Sequence, residues 1–312
     1  MRILNAVLGG AFVLAISTSA MSTGCSRNAI EAVNLSNEGD KVRGTNVDDA
    51  ISKYEQATQL DPDNHRILWK LATAYQKKED WPKVEQTMNK ATKIKEAEKF
   101  ANYFWLRGYA LKQMAIKGPT SWSDSKEPLE TASKLDPNYA DPHFDLAEVL
   151  LHLDDEKGAL EQYTKAIELN PDELNYYGPL ADLYIRLNFL NEAESVLKEA
   201  VGREKSGDKA GFNVHSLYGE IYMLRGDTSS AIKEFESAKK SCGQCNEKGQ
   251  QICFFNLGAA YAKANRKSEA TSNLLSFQKT VCRGAAAQRY ADECVQAQEL
   301  IKEVGGQASI GP

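Results

Sequence analysis

Six cysteines and four histidines hold most of the reactive side chains of this 312-residue chain. Cys25 stands alone near the start, whereas Cys242, Cys245, Cys253, Cys282 and Cys294 all fall in the last quarter. A thiol can serve as nucleophile, metal ligand, disulfide partner or acyl acceptor, and its surroundings decide which. Cys242-Gly-Gln-Cys245 has the spacing of a redox dithiol. Such a pair works at the start of a helix that follows a strand, and here it lies in a loop between helical patterns. Zinc asks for four ligands in closed geometry, and outside the cytoplasm disulfides are favoured instead. The five C-terminal cysteines are therefore disulfide candidates that form two bridges and leave one thiol. Cys282, just after the last repetitive helix, is expected to pair with Cys294, and Cys242 with either Cys245 or Cys253. His65, His143, His152 and His215 show no metal or catalytic spacing, and no phosphate-binding glycine loop or G-x-S-x-G elbow occurs. The expectation is a chain without catalytic residues, metal or cofactor.

The elements that place these groups begin at the N-terminus. Residues 3–16, "ILNAVLGGAFVLAI", follow Arg2 and precede small residues. The run is too short for a membrane span of about 20 residues and has the layout of a signal peptide. Ser22-Thr23-Gly24-Cys25 resembles the lipobox of bacterial lipoproteins, with Ser22 where that family usually has Leu. The resemblance implies cleavage before Cys25, acylation of its thiol and new amine, and, with Ser26 next, an outer-membrane lipoprotein facing the periplasm. Thr18-Ser19-Ala20 offers an alternative small-x-small cleavage site for simple secretion. The reading divides the chain into a signal peptide (1–24), a lipidated tether (25–30), a helical body (31–283), a capping helix (284–304) and a loose tail (305–312).

The body repeats. Pro137 and Pro171 lie 34 residues apart, each closing a segment with small and aromatic residues at matched places ("LETASKLDP", "ALEQYTKAIELNP"). With position 1 set three residues after the proline, the unit from Ala140 has Leu146, Ala147, Leu150, Ala159, Tyr163 and Ala166 at its packing slots. Units near 65–100, 101–139, 174–211, 212–250 and 251–283 follow the same scheme. One near 31–64 is degenerate in its first helix. This pattern resembles the tetratricopeptide (TPR) repeat. It implies an all-α, right-handed α-solenoid of about seven helix-turn-helix units, in which small residues let backbones approach and large ones fill the gaps. No unit buries its core alone, so neighbours must stack and the end must be capped. Insertions at 118–128, 203–211 and 241–249 are placed in loops.

In the TPR family the first helices line a groove, and positions 2, 5, 9 and 12 meet the ligand. Here they hold Arg66, Trp69 and Gln76; then Asn102, Trp105, Tyr109 and Lys112; then Phe144 and Glu148. Aromatic residues stand at position 5 three times in succession (Trp69, Trp105, Phe144). Large rings of few rotamers are typical of interface anchors; the alternative is that they pack against the adjacent unit. The charge, −5 from 38 basic and 43 acidic residues, lacks the basic stripe that nucleic acid requires. The expected partners are an envelope protein or peptide segment in the groove, and the membrane through the acyl chains. TPR lipoproteins of this size and repeat number serve as pilotins for the type IV pilus secretin, which is what the resemblance implies here. Adaptors for cell-wall hydrolases or a gliding-motility complex, and a thiol-redox protein using Cys242 and Cys245, stand as alternatives.

Overall fold

The computed structural model describes the backbone of residues 20–305 except 119, 206, 207 and 285, and side chains from Arg27 onward, Ala286 excepted. Residues 1–19 of the expected signal peptide (1–24), the Cys25 side chain and the residues from 306 lie outside the described residues. Sixteen α-helices and no strand are present among the described residues. The chain divides after Leu135 into two compact units.

The first unit contains α1 (Ala20–Val42), α2 (Val47–Leu60), α3 (His65–Lys77), α4 (Trp81–Ala91), α5 (Ala101–Lys117) and α6 (Trp122–Leu135). Consecutive helices pair as α1/α2, α3/α4 and α5/α6, and α2 packs on α3 as α4 does on α5. The second unit begins with α7 (Ala140–His152), α8 (Glu156–Leu169), α9 (Tyr177–Arg186) and α10 (Leu190–Arg203). It continues with α11 (Gly211–Leu224), α12 (Thr228–Cys242), α13 (Ile252–Lys263) and α14 (Lys267–Val281), and ends with α15 (Ala286–Arg289) and α16 (Ala291–Glu303). Its pairs are α7/α8, α9/α10, α11/α12 and α13/α14, with α16 against α13 and α14.

The same device closes most pairs. The residue two places before the second helix adopts the left-handed conformation: Glu79 (φ 54°), Asp154 (61°), Asn188 (62°), Gly226 (80°) and Asn265 (57°). Such a residue ends one helix and reverses the chain. In three of these turns an aspartate then caps the next helix. Asp80, Asp155 and Asp227 accept from the backbone N–H of Lys83, Gly158 and Ser230. Asn46 does the same for α2 through Asp49 N–H.

Each pair closes by one tight contact. A Cβ added to Gly108, Gly219 or Gly258 would lie 2.5–2.6 Å from Leu129, Phe235 or Leu274 of the facing helix. Ala72, Ala147 and Ala181 hold the corresponding place elsewhere, and all are fully buried. The first pair is complete, in contrast to its sequence reading. Gly39 of α1 meets Tyr54 at 2.6 Å, and the Tyr54 hydroxyl donates to Asp40. The stretch from this contact to the second helix is one residue shorter here (Gly39 to Val47, against Ala72 to Trp81), because α1 ends two residues sooner after the small position while the turn is one residue longer; this moves the small position from Glu38 to Gly39 and hides it from a fixed period. Residues 25–30, expected to form a tether, are part of α1.

The 118–128 insertion also resolves differently. Residues 122–128 form the first half of α6, which starts in ordinary register with Leu129. The extra residues lengthen α5 by about one turn and add one residue to the loop, because "KQMAIK" continues a good helix-forming run. Gly118 (φ 95°) ends the longer helix. At the C-terminus, Ala297 and Ile301 of α16 pack on Leu274, Phe277 and Val281.

These contacts set the cost of a methyl group. Gly219→Ala is expected to lower stability by about 1–3 kcal/mol, since the Phe235 ring must move. Gly202→Ala, with open space around the new Cβ, is expected to be neutral or stabilising by up to about 1 kcal/mol. Urea unfolding followed by circular dichroism checks both; equal effects at the two sites would contradict the assignment.

Candidate functional site

The first-helix side chains are positioned by stacking. In the first unit, Trp69 of α3 lies flat on Tyr103 of α5, ring centroids 4.8 Å apart and planes within 5°. Tyr103 stacks in turn on Phe100 at 5.3 Å, and its hydroxyl lies 3.1 Å from His65 Nδ1. Trp69 is half-buried, with one face committed to its neighbour. Trp105 leans on Tyr109 at 5.6 Å, and Tyr109 meets the edge of Trp81 at 5.5 Å. Lys112 is 3% exposed, its Nζ 5.1 Å from the Tyr109 ring centre, a cation–π contact in a dry setting. Trp105, Tyr109 and Lys112 thus form one group on α5. Arg66 is exposed, and Gln76 and Asn102 are half-buried.

In the second unit, Phe144 of α7 stacks on Tyr176 at 4.8 Å and leans on Tyr163 at 5.6 Å. The Tyr176 hydroxyl donates to Asp141. Glu148 is half-buried on the same helix. Trp69–Tyr103 and Phe144–Tyr176 are the same contact in two places: a ring at position 5 covered by a ring at position 3 of the following pair. The sequence reading missed the second partner, whose only signal is a Tyr two residues after the start of the next unit. It also missed hydrogen bonds that join successive pairs, from the Tyr75 hydroxyl to Glu55 and from the Tyr261 hydroxyl to Glu236.

Two histidines occupy one repeat position and differ by their partners. His143 and His215 are each 8% exposed. His143 Nδ1 meets Gln162 Oε1 at 2.7 Å, and His215 Nδ1 meets Glu234 Oε2 at 2.6 Å. His215 Nε2 also faces Glu204 Oε2 at 2.8 Å. Burial opposes the charged imidazole, but hydrogen bonds to Glu234 and Glu204 outweigh it and hold the His215 pKa above its ordinary value. His215 therefore ties α11 to α12 and to the loop after α10. It fits a helix-interface role, as His143 does.

The cysteines form two disulfides, Cys282–Cys294 and Cys242–Cys245. The first joins the end of α14 to α16. The second joins the last residue of α12 to the loop that follows. Cys253 is a buried free thiol whose pKa is pushed up to about 11 by desolvation. The Cys242–Cys245 pair sits at a helix C-terminus, where the negative end of the helix dipole disfavours a thiolate.

Residues 140–173, spanning α7 and α8, match the family described as "Tetratricopeptide repeat", and residues 46–79, spanning α2 and α3, match "TPR repeat". One matched segment lies in each unit. Among solved structures it is similar to the C-terminal part of a TPR repeat-containing protein from Cytophaga hutchinsonii. That match has 14% identity and a TM-score of 0.58, covering 81% of this chain and 98% of that one. It is similar to the Cut9–Hcn1 hetero-tetramer of the APC/C (18% identity, TM-score 0.55, 91% of this chain and 55% of that one). It is also similar to PilF of Pseudomonas aeruginosa (18%, TM-score 0.51, 66% and 91%). These likenesses establish an all-α fold of stacked TPR-type helix pairs. No helix among the described residues is long and apolar enough to cross a membrane.

His215 gives a signed pH dependence. Its folded pKa exceeds the ordinary 6.5, so its contribution is complete below that value and is lost as pH rises through the folded pKa. Denaturation midpoints are expected to fall over that interval, and the wild-type advantage over His215→Gln should shrink; a constant difference would exclude the linkage. Peptide mass spectrometry without reductant is expected to find Cys282–Cys294 and Cys242–Cys245 linked and Cys253 free, whereas five free thiols would refute both bridges.

Proposed function

We propose that this protein is a lipid-anchored scaffold of the bacterial cell envelope, fixed at Cys25 to the outer membrane and facing the periplasm. Its first-helix faces hold a segment of a partner protein and support assembly of an envelope machine, with the type IV pilus secretin as the specific candidate. The observation that carries the binding role is the set of half-buried rings Trp69, Trp105 and Tyr109 in the first unit. Each is held by a neighbouring ring, so little rotamer entropy remains to be lost when a partner covers the other face. Phe144 and Glu148 offer a comparable face in the second unit.

The anchoring role is supported by the N-terminal pattern: a short apolar run, small residues and a lone cysteine. More than one acyl chain at that cysteine gives stable attachment, whereas a single chain holds only marginally. A redox role for Cys242 and Cys245 is less well supported, because their helix end works against a reactive thiolate.

One set of envelope fractionations tests both parts. Cys25→Ser is expected to move the protein from the membrane to the soluble periplasmic fraction; continued membrane association would refute the anchor. Trp69→Ala with Trp105→Ala is expected to abolish co-purification of secretin subunits while the far-UV helical signal persists. Undiminished co-purification would assign both rings to packing.

A further inference from the structure

The sulfurs of Cys242, Cys245 and Cys253 form a cluster that the scaffold role does not use. Cys242 ends α12, Cys245 lies in the loop and Cys253 is in the first turn of α13. Their Sγ atoms all lie within 4.8 Å of one another. Cys253 Sγ is 3.3 Å from Cys245 Sγ, and both residues are 1% exposed. Cys242 is half-buried, so the cluster is reached from that side. Phe212, Ala238, Ile252 and Phe254 pack around it. Among the described residues no imidazole nitrogen or carboxylate oxygen joins the group.

We propose that, when the Cys242–Cys245 bond is reduced, the three sulfurs form a binding site for a single thiophilic cation, Cu+ in preference to Zn2+. Reduction takes two electrons and two protons from a dithiol. The sulfur–sulfur bond breaks, the donor becomes a disulfide, and Cys242 and Cys245 become thiols. Cu+ then bonds to sulfur, keeps its oxidation state, and the displaced thiol protons leave to solvent. Thiolate ligands select soft ions, and three donors satisfy Cu+. Zinc closes its structural sites with four ligands, and the apolar wall here supplies no fourth. The Lys239 carbonyl of the last turn of α12 lies 3.3 Å from Cys242 Sγ.

The test uses the full chain carrying Cys282→Ser and Cys294→Ser, reduced with excess dithiol, desalted without oxygen, and titrated with Cu+ against a coloured Cu+ chelator. The reduced chain is expected to withdraw one Cu+ from the chelator, and Cys253→Ser is expected to lose that uptake. The same chain with Cys242–Cys245 oxidised is expected to withdraw none. No uptake, or equal uptake by the oxidised chain or by Cys253→Ser, overturns the proposal. Should Cys253→Ser lose its helical signal, Cys242→Ala at the half-buried edge gives the same readout. A parallel Zn2+ titration that binds more tightly than Cu+ overturns the three-coordinate assignment.

Discussion

Everything in both units rests on how closely two helix backbones approach within a pair. That distance is set where a residue with little or no side chain faces a large one: Gly39 under Tyr54, Gly108 under Leu129, Gly219 under Phe235, Gly258 under Leu274. Interiors packed at this density transmit small displacements to their neighbours. The contact therefore fixes the second helix, and with it the surface on which the next pair sits. Rings and hydroxyls on successive pairs meet only because that spacing is held. Tyr75 to Glu55 and Tyr261 to Glu236 are the same bond made in two units.

The candidate binding residues inherit this order. A ring at position 5 stacks on a ring at position 3 of the next pair, as Trp69 does on Tyr103 and Phe144 on Tyr176. Packing and binding are thus not exclusive readings of these side chains: one face fixes the ring, and the half-buried remainder faces outward. Lys112, buried beside Tyr109, is packed into the same group on α5.

The repeat was legible because it rests on local spacing. Ala72, Ala147 and Ala181 each stand ten residues after a proline (Pro62, Pro137, Pro171), where the repeat register puts them, and all are fully buried. Gly39 escaped because α1 ends sooner after it, which leaves the stretch to α2 one residue short of that register. The lengthened α5 escaped because five added residues carry no mark of whether they loop or continue the helix; their helix propensity decided it. The candidate site was legible only in part. Position 5 could be counted along one helix, but its covering ring belongs to the next pair. Spacing along the chain shows only that His215 belongs to no metal or catalytic motif; its partners Glu234, 19 residues on, and Glu204, in the preceding loop, meet it only in the fold. Cys253 likewise gained meaning only when the loop after α12 brought it beside Cys245.

The bridge between Cys282 and Cys294 gives the second unit a polarity. A row of helix pairs held by nearest-neighbour contacts loosens from its ends, where a pair has only one neighbour. A covalent loop of about this size removes roughly 3 kcal/mol of freedom from the opened state. Fraying of α16 from the last pair is therefore suppressed, and the cap and that pair come away as one piece, like a lid riveted to its box.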